Sequence, residues 1–332
     1  MKRIVSGIKP TGELTLGNYL GAMKRWAEME NENIESFYFI ANLHAITVRQ
    51  DPFQLRKRTF DIVAWLITCG VNPEKSLIFI QSMIPAHTEI CWVLTNYVTI
   101  GELGKMTQFK DKVSKSSREG QVAGLFEYPV LMAGDVLLYD ADEVPVGDDQ
   151  MQHLELTRNI AARFNNLYGQ TFKEPKGTVS KITARIMSLK NPESKMSKSE
   201  TEDSYIALED KPEDIIKKFK RAVTDSENQI RFDSESKPAI SNLLNIYSAF
   251  SEKSIDEIVS DYKNEGYGKF KTDLGELVAS KLDILQKRFK EIREDEEFLL
   301  KTIKRGNSGA SEIADKKVSE VYEKIGLVYH RF

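Results

Sequence analysis

The sequence predicts a doubly wound α/β fold of parallel strands, followed by a helical C-terminal region. Over residues 1–185, short apolar runs of strand length alternate with longer segments of helical periodicity. From about residue 210 the helical patterns continue, with few strand candidates. Such alternation is typical of a Rossmann-like sheet, whose ligands bind at the carboxyl ends of the strands. We therefore expect a Rossmann-like domain over residues 1–190, a loop over 191–205 and a helical region over 206–332.

Local patterns predict the elements of the first domain. A strand at 3–5 leads through a Gly/Pro turn into a helix, whose apolar side chains recur at helical spacing: Leu16, Tyr19, Leu20, Met23 and Ala27. The remaining predicted elements are buried strands at 37–41, 77–80 and 143–147, helices at 53–69 and 87–100, and a helix beginning near Met151.

The C-terminal region carries helix signals. Asp210 and Glu213 resemble a capping box, with Pro212 in the first turn of a helix. The apolar face of this helix is predicted to comprise Ile215, Ile216, Phe219 and Val223. Further helices are predicted at 238–250, 271–294 and 309–325. In the first domain, the polar and charged segment 112–120 is typical of a mobile loop.

Composition excludes several classes of protein. The formal net charge is -3, which is not the profile of a protein that binds nucleic acid nonspecifically through an overall positive surface. No run of 18 apolar residues predicts a membrane span, and no signal-peptide pattern precedes the first strand. Cys69 and Cys91 lack metal-ligand spacing, so we expect reduced thiols in a cytoplasmic protein with no protein-held zinc.

The segment 6–12, Ser-Gly-Ile-Lys-Pro-Thr-Gly, joins the first strand to the first helix. The N-terminus of a helix offers unpaired N–H groups and the positive end of the helix dipole, which suits a triphosphate. Gly7, Gly12 and Gly17 allow the backbone to approach a nucleotide closely. Thr15 and Asn18 follow at positions from which their side chains can donate hydrogen bonds to phosphate oxygens, although Thr15 is equally suited to cap the helix.

A second segment of phosphate chemistry is Lys-Met-Ser-Lys-Ser at 195–199. Lys195 and Lys198 can place two ammonium groups against a triphosphate, where they would stabilise the charge that develops on a pyrophosphate leaving group. Ser197 and Ser199 are small and supply hydroxyl donors. Taken alone, the segment is equally consistent with a solvated charged loop.

Residues 128–139 are predicted to form a helix that carries Tyr128, Met132 and Asp135 on one face. An acidic side chain on an apolar face requires a partner. A substrate ring bearing one N–H would supply it, with Met132 packed against the ring. The alternative is that Asp135 caps a helix or pairs elsewhere in the protein. His44 follows the strand 37–41, so an active-site contact and a purely structural role are both open.

Gly147-Asp148-Asp149-Gln150 lies between a strand and a helix. Asp149 is a candidate acceptor for ribose hydroxyls, and Gln150 is a candidate for the amino group of a substrate. The two acids alternatively sit at a helix N-terminus because the dipole favours negative charge there. No further cluster of ligands supports a metal held by the protein, so we expect Mg²⁺ to arrive with ATP.

Together these motifs resemble the bacterial tryptophanyl-tRNA synthetases, which are class I aminoacyl-tRNA synthetases, over essentially the full length. The segments that carry the resemblance are 6–19, 44–47, 101–103, 106–110, 128–139, 144–150, 195–199, 222–226 and 241–244. The resemblance implies that ATP and L-tryptophan form tryptophanyl-adenylate, whose acyl group passes to the 3′ end of tRNA(Trp). It also implies a homodimer and a C-terminal region that reads the anticodon.

The resemblance also assigns site residues by matched position. Those implied to contact ATP are Lys9, Pro10, Thr11, Gly17, Asn18, Gly147, Asp148, Asp149, Ile186, Lys195, Met196, Ser197, Lys198 and Ser199. Those implied to bind tryptophan are Asp135, Tyr128, Met132, Gln150, Gly7, Val144, Val146 and His44. Those expected to act in catalysis are Lys195, Lys198, Thr15, Asn18 and Lys112.

Three features of the chain bear on this resemblance. Position 9 is commonly Gln in the family and is Lys9 here, and position 5 is often Phe and is Val5 here. No cysteine follows Cys91, so the C-terminal iron–sulfur cluster of some relatives is not expected. The alternatives are a tyrosyl-tRNA synthetase, a paralogue that does not aminoacylate, and another adenylate-forming nucleotidyltransferase. Lys217, Lys218, Lys220 and Arg221 form a basic cluster that either meets tRNA phosphates or is simply solvated.

Overall fold

The computed structural model describes residues 1–31, 33–110, 122–178, 186–198 and 201–328. Within these residues, five parallel strands form one sheet in the order β3-β2-β1-β4-β5. The strands are β1 (Lys2–Ile8), β2 (Ile34–Ile40), β3 (Leu77–Ile80), β4 (Glu143–Pro145) and β5 (Lys176–Thr178). The order reverses between β1 and β4, as expected of a doubly wound sheet, and the predicted fold class is confirmed.

Helices cover both faces of the sheet and continue to the C-terminus. They are α1 (Leu16–Asn18), α2 (Lys24–Met29), α3 (Asn42–Ala45), α4 (Pro52–Thr68), α5 (Ala86–Thr95), α6 (Ile100–Gly104), α7 (Ala123–Leu137), α8 (Met151–Tyr168), α9 (Pro212–Lys220), α10 (Pro238–Ser251), α11 (Ile255–Asp261), α12 (Tyr267–Glu294) and α13 (Glu296–Ile325). A π-helical turn, Tyr19–Met23, joins α1 to α2.

The apolar strands are explained by burial on both sides. In β2, Tyr38 and Ile40 belong to a core formed with α4 and the C-terminal helices. Phe37 and Phe39 point to the opposite face and belong to a core formed with α5, α7 and α8. A strand buried on both faces has no polar side to expose, so its sequence is a continuous apolar run.

The long helix α13 returns to the sheet and covers its edge at β3. A Cβ atom at Gly306 would lie 1.8 Å from the carbonyl oxygen of Ile78, so the helix backbone packs directly on the strand. The Oδ1 atom of Asn307 accepts a hydrogen bond from the backbone N–H of Ile80 at 3.0 Å. These contacts satisfy and shield part of an otherwise open strand edge.

Several predicted elements differ in detail. The helix predicted over 87–100 ends at Thr95, and a second helix begins at Ile100, where Thr99 and Glu102 form a capping box. The helices predicted at 271–294 and 309–325 begin earlier, at Tyr267 and Glu296. The short strand β5 was not predicted, because its three residues form no apolar run. The loop predicted at 112–120 lies outside the described residues.

The capping box predicted for Asp210 and Glu213 is wrong. Lys211 occupies the N-cap of α9, and Asp210 instead accepts hydrogen bonds from the backbone N–H of Ala207 at 2.9 Å and from the Lys218 ammonium at 2.7 Å. Lys218 is therefore buried in an ion pair and is not part of an exposed basic cluster. The predicted apolar face also ends early, since Val223 lies beyond the helix and is exposed.

Candidate active site

A cleft of about 800 Å³ opens at the carboxyl ends of β1 and β4, where the order of the strands reverses. Most of the residues singled out from the sequence line it: Gly7, Lys9, Thr11, Thr15, Gly17, Asn18, His44, Tyr128, Met132, Asp135, Val144, Val146, Gly147, Asp149, Gln150, Ile186, Lys195, Met196, Ser197 and Lys198. Pro10 is buried and does not line the cleft. Asp148 begins a 3-10 turn beside it, and Lys112 and Ser199 lie outside the described residues.

Thr15 and Asn18 lie at the N-terminus of α1, the helix that follows β1. Thr15 is the N-cap residue, and Asn18 Oδ1 accepts hydrogen bonds from its backbone N–H at 2.9 Å and its hydroxyl at 3.1 Å. The capping role suggested for Thr15 is therefore present. These bonds orient the amide, and Asn18 Nδ2 has no hydrogen-bond partner among the described residues, so its two N–H groups are available to a ligand.

The lysine segment, of which residues 195–198 are described, packs against the 6–12 segment. The Lys198 ammonium donates a hydrogen bond to the carbonyl of Thr11, and Gly12, with a φ of +67°, leaves the space that the lysine side chain fills. Desolvation lowers the pKa of Lys198, and the positive charges of Arg58 and Lys9 lower it further. Burial also lowers the pKa of Lys9, against the attraction of Asp149. A cluster of cations with depressed pKa values is a favourable environment for an anionic ligand.

Asp149 connects the lysine segment to the opposite wall. Its carboxylate accepts hydrogen bonds from Gln108 Nε2 at 3.0 Å and Gln150 Nε2 at 2.7 Å, and Lys195 Nζ lies 3.9 Å from its Oδ1. The Oε1 atom of Gln150 has no partner within the described residues, so it remains an acceptor for a ligand ammonium group. Gln108 was not singled out as a site residue, although it lies in one of the segments that carry the resemblance.

Asp135 is the only carboxylate among the described residues that is buried at the apolar end of the cleft. Its Oδ2 atom accepts from His44 Nε2 at 2.6 Å, and its Oδ1 atom accepts from Gln81 Nε2 and His87 Nδ1, both at 2.7 Å. Desolvation raises the pKa of Asp135, but the two histidines outweigh it and hold the pKa at about 2. The carboxylate is therefore ionised at neutral pH.

The sequence left open whether Asp135 pairs within the protein or with a ligand. Three protein donors do contact it, so pairing within the protein is present. A carboxylate offers about four acceptor directions, and one direction on Oδ2 remains after these three bonds. Both interpretations are thus compatible with the geometry.

Gln81 and His87 are two further site residues that sequence reasoning missed. Gln81 directly follows β3 and also accepts the backbone N–H of Leu43 at 3.0 Å, which ties the His44 segment to Asp135. His87 Nε2 is 2.8 Å from the hydroxyl of Tyr139, so the imidazole bridges Tyr139 and Asp135. Gln81 could have been predicted from its position directly after a strand, where ligands bind in this fold. His87 lies within a helix, and no feature of the local sequence indicates a role in the site.

Aromatic and aliphatic side chains enclose the space beside Asp135. The Tyr128 hydroxyl contacts Gln108 Oε1 at 3.2 Å and His153 Nε2 at 3.0 Å, and desolvation raises its pKa to about 12. A Cβ at Gly7 would lie 2.5 Å from the ring of Phe39, so this ring covers the glycine. Phe39 therefore supplies an aromatic wall next to the smaller Val5.

The described residues contain neither a metal site nor a membrane-spanning helix. They contain no group of three or more His, Cys, Asp or Glu side chains arranged to hold a metal ion. No helix in the described part of the chain combines the length and apolar character needed to cross a membrane. Cys69 and Cys91 are free thiols whose pKa values burial raises to about 12.

Comparison with known proteins identifies the family of the chain. The profile of the family "tRNA synthetases class I (W and Y)" matches residues 1–283. The chain belongs to this family. A tryptophan–tRNA ligase of Clostridium tetani is 50% identical over 98% of the chain and 96% of its own length.

Solved structures extend the likeness to the whole fold. A tryptophanyl-tRNA synthetase from Mycoplasma pneumoniae superposes with a TM-score of 0.91 at 35% identity, over 99% of this chain and 98% of that one. A tryptophanyl-tRNA synthetase from Campylobacter jejuni, in complex with ADP and tryptophan, superposes with a TM-score of 0.82 at 35% identity, over 98% of this chain and 100% of that one.

Proposed function

We propose that the protein is a tryptophan–tRNA ligase. It activates L-tryptophan with ATP to form tryptophanyl-adenylate and pyrophosphate, and transfers the acyl group to the 3′ end of tRNA(Trp). One observation carries the proposal: a single cleft has a buried, ionised Asp135 at its apolar end and a two-lysine segment at its open end. The likeness to tryptophan–tRNA ligases over nearly the whole chain supports it.

The apolar end is the tryptophan pocket. The indole N–H donates to the remaining acceptor direction of Asp135, while Met132 and the Phe39 ring pack against the indole. Tyr128, Val144, Val146 and Gly7 complete the walls, with His44 holding the carboxylate. Gln150 Oε1 accepts from the α-ammonium group. The tryptophan carboxylate then points towards the lysine segment, where it attacks the α-phosphate of ATP.

The open end is the ATP site. Asn18, Lys9 and Thr11 contact the phosphates, while Gly17, Ile186, Gly147 and Asp149 enclose the adenosine. Mg²⁺ comes with the nucleotide and is held mainly by its phosphates, because the described residues offer no ligand cluster. Lys112 and Ser199 belong to the same site by their matched positions in the family.

Lys195 and Lys198 stabilise the transition state of adenylate formation. Their present partners, Asp149 and the Thr11 carbonyl, are a distant carboxylate and a neutral oxygen. A pyrophosphate leaving group is a stronger partner for both ammonium groups, and the negative charge on it grows as the bond to the α-phosphorus breaks. Interactions that strengthen in the transition state accelerate the reaction.

The enzyme is a cytoplasmic homodimer in this proposal, with residues 206–332 as its anticodon-binding region. Support for the dimer is an exposed apolar face on α5 and its neighbours, where Trp92 is 74% exposed beside Ile46 and Val122. Exposed apolar patches of this kind mark protein interfaces. Light scattering of wild-type protein and of Trp92→Lys tests it: a twofold drop in mass on substitution supports the dimer, and a wild-type monomer refutes it.

The catalytic proposal is tested by ATP–pyrophosphate exchange without tRNA, with tryptophan and tyrosine in parallel. Exchange with tryptophan alone is expected, followed by charging of tRNA(Trp). Exchange with tyrosine instead would make the protein a tyrosyl enzyme on the same fold. Folded protein that exchanges with neither amino acid would be a paralogue without the activity.

A further inference from the structure

The lysine segment is one arm of a short antiparallel hairpin. Met187 and Lys195 form an antiparallel bridge, and backbone hydrogen bonds of 2.9 Å join Met196 N to Ile186 O and Ser188 N to Ser194 O. The position of Lys195 is therefore determined by the other arm, residues 186–188. A contact that fixes residues 186–188 therefore also fixes the position of the Lys195 ammonium group.

A buried side chain from the helical region holds this arm. Asn242 lies on α10, and its Oδ1 accepts from the backbone N–H of Met187 at 2.9 Å while its Nδ2 donates to the Met187 carbonyl at 3.0 Å. The amide thus engages both backbone groups of one residue, as a neighbouring β-strand would. Asn242 is 4% exposed, so these bonds are shielded from water.

The helix that carries Asn242 is itself well anchored. Its Ile240, Leu243, Leu244 and Ile246 are buried in the core shared by the sheet and the C-terminal helices. Among the described residues, two further hydrogen bonds join the hairpin to this region, from Val223 N to Leu189 O at 2.9 Å and from Lys190 Nζ to Arg221 O at 3.0 Å, but both lie beyond the arm paired with Lys195. Asn242 is therefore placed to transmit the position of the helical region to the catalytic lysine.

We propose that Asn242 is a positioning residue for adenylate formation: its amide fixes the Met187 backbone and thereby sets Lys195 against the phosphates of ATP. The proposal rests on the function assigned above. Only a side chain with one donor and one acceptor at this spacing can engage both groups of Met187. Asp lacks the donor and Leu lacks both, although each has nearly the volume of Asn.

The experiment compares Asn242→Asp with a matched control. Asn165 makes the same pair of bonds elsewhere, accepting from Phe172 N at 2.9 Å and donating to Phe172 O at 2.8 Å, at the end of α8. For Asn242→Asp we expect kcat of tryptophan-dependent exchange to fall about 10- to 100-fold, the loss typical of a small misplacement, with tryptophan Kd unchanged. Asn165→Asp is expected to lower the melting temperature and leave kcat within about twofold.

A double-mutant cycle separates positioning from general damage. If Asn242 acts through Lys195, then Asn242→Asp in a Lys195→Ala background should change kcat by less than about threefold. Additive losses, or an unchanged kcat in folded Asn242→Asp, would overturn the proposal. Asn242→Ala, which adds no charge, is measured in the same way should Asn242→Asp not fold.

Exchange measured on the wild-type protein distinguishes failure of the proposed role of Asn242 from failure of the proposed function. Tryptophan-dependent exchange by wild type together with an additive cycle refutes only the role of Asn242. Absence of that exchange in folded wild type refutes the proposed function, and the role of Asn242 with it.

Discussion

The two ends of the cleft are built in opposite ways. At the apolar end, Asp135 is fully buried and three side chains hold its carboxylate. At the phosphate end, Lys195 and Asp149 are both more than half exposed and lie 3.9 Å apart. The first end is organised before any ligand binds, whereas the second has weak contacts that a polyanion can replace.

Under the proposed function, this difference separates selection of the amino acid from catalysis. Water cannot reach the buried Asp135 carboxylate, so a substrate without the matching donor leaves its fourth acceptor direction unfilled and is bound less tightly. Exposed lysines are screened by solvent and discriminate little, but they gain strength when a ligand excludes that solvent. Substitutions at one end should therefore affect one substrate and leave the other nearly unchanged.

The largest effect is expected at the phosphate end. Lys198→Ala should lower kcat of ATP–pyrophosphate exchange by about 10²- to 10³-fold, because a charge that stabilises the leaving group is lost. Tryptophan Kd, measured by calorimetry, should not change. Lys271→Ala is the control, since that ammonium donates to the Ala222 carbonyl at 3.0 Å, outside the cleft. A parallel loss of tryptophan binding in Lys198→Ala would contradict the separation of the two ends.

The next effect is expected at the apolar end. Asp135→Asn should lower kcat/KM for tryptophan by about 10- to 100-fold and weaken discrimination against tyrosine, because a buried acceptor loses its charge. The new amide must also face Gln81 or His87, which donate to that position. KM for ATP should remain within about twofold. The control is Asp142→Asn, because Asp142 accepts a hydrogen bond from the backbone N–H of Arg3 at 2.9 Å; this variant should keep full selectivity for tryptophan over tyrosine. Unchanged selectivity in Asp135→Asn would show that Asp135 does not recognise the substrate.

The same carboxylate should govern part of the acid stability. Its pKa in the folded protein, about 2, is below the ordinary value of 3.8, so ionised Asp135 stabilises the fold above pH 4. That stabilisation, about 2 kcal/mol, is lost as the pH falls from about 4 to 2. Urea unfolding of wild type and Asp135→Asn should give free energies whose difference is constant above pH 5 and shrinks below it. A difference independent of pH down to 2 would show that folding does not lower the pKa of Asp135.

The smallest effect is expected for Asn18→Ala. Loss of one neutral donor to a phosphate should raise KM for ATP about fivefold, since a net hydrogen bond contributes about 1 kcal/mol. KM for tryptophan should be unaffected, because Asn18 lies at the open end. Asn31→Ala, in a surface turn, is the control. A larger effect on tryptophan than on ATP would place Asn18 at the wrong end of the cleft.

Most of the fold could be predicted because its signals are local. The strands β1, β2 and β3 contain apolar residues that only a sheet buried on both faces explains. The start of α13 could not be predicted, because the small or polar residues Gly306 and Asn307 face β3 and interrupt the apolar periodicity. The capping box at Asp210 was wrong for a related reason: a lysine eight residues further on provided a stronger partner for its carboxylate.

The sequence by itself determined which residues are the main candidates for phosphate and ring recognition. They are grouped in short segments, such as 6–18 and 195–199, whose composition is informative without any partner. Only the tertiary structure decided how those residues are held. Asp135 receives donors from Gln81 and His87, 54 and 48 positions away, and Met187 is held by Asn242, 55 positions away. Such pairings depend on how helices and strands pack, which no local periodicity encodes.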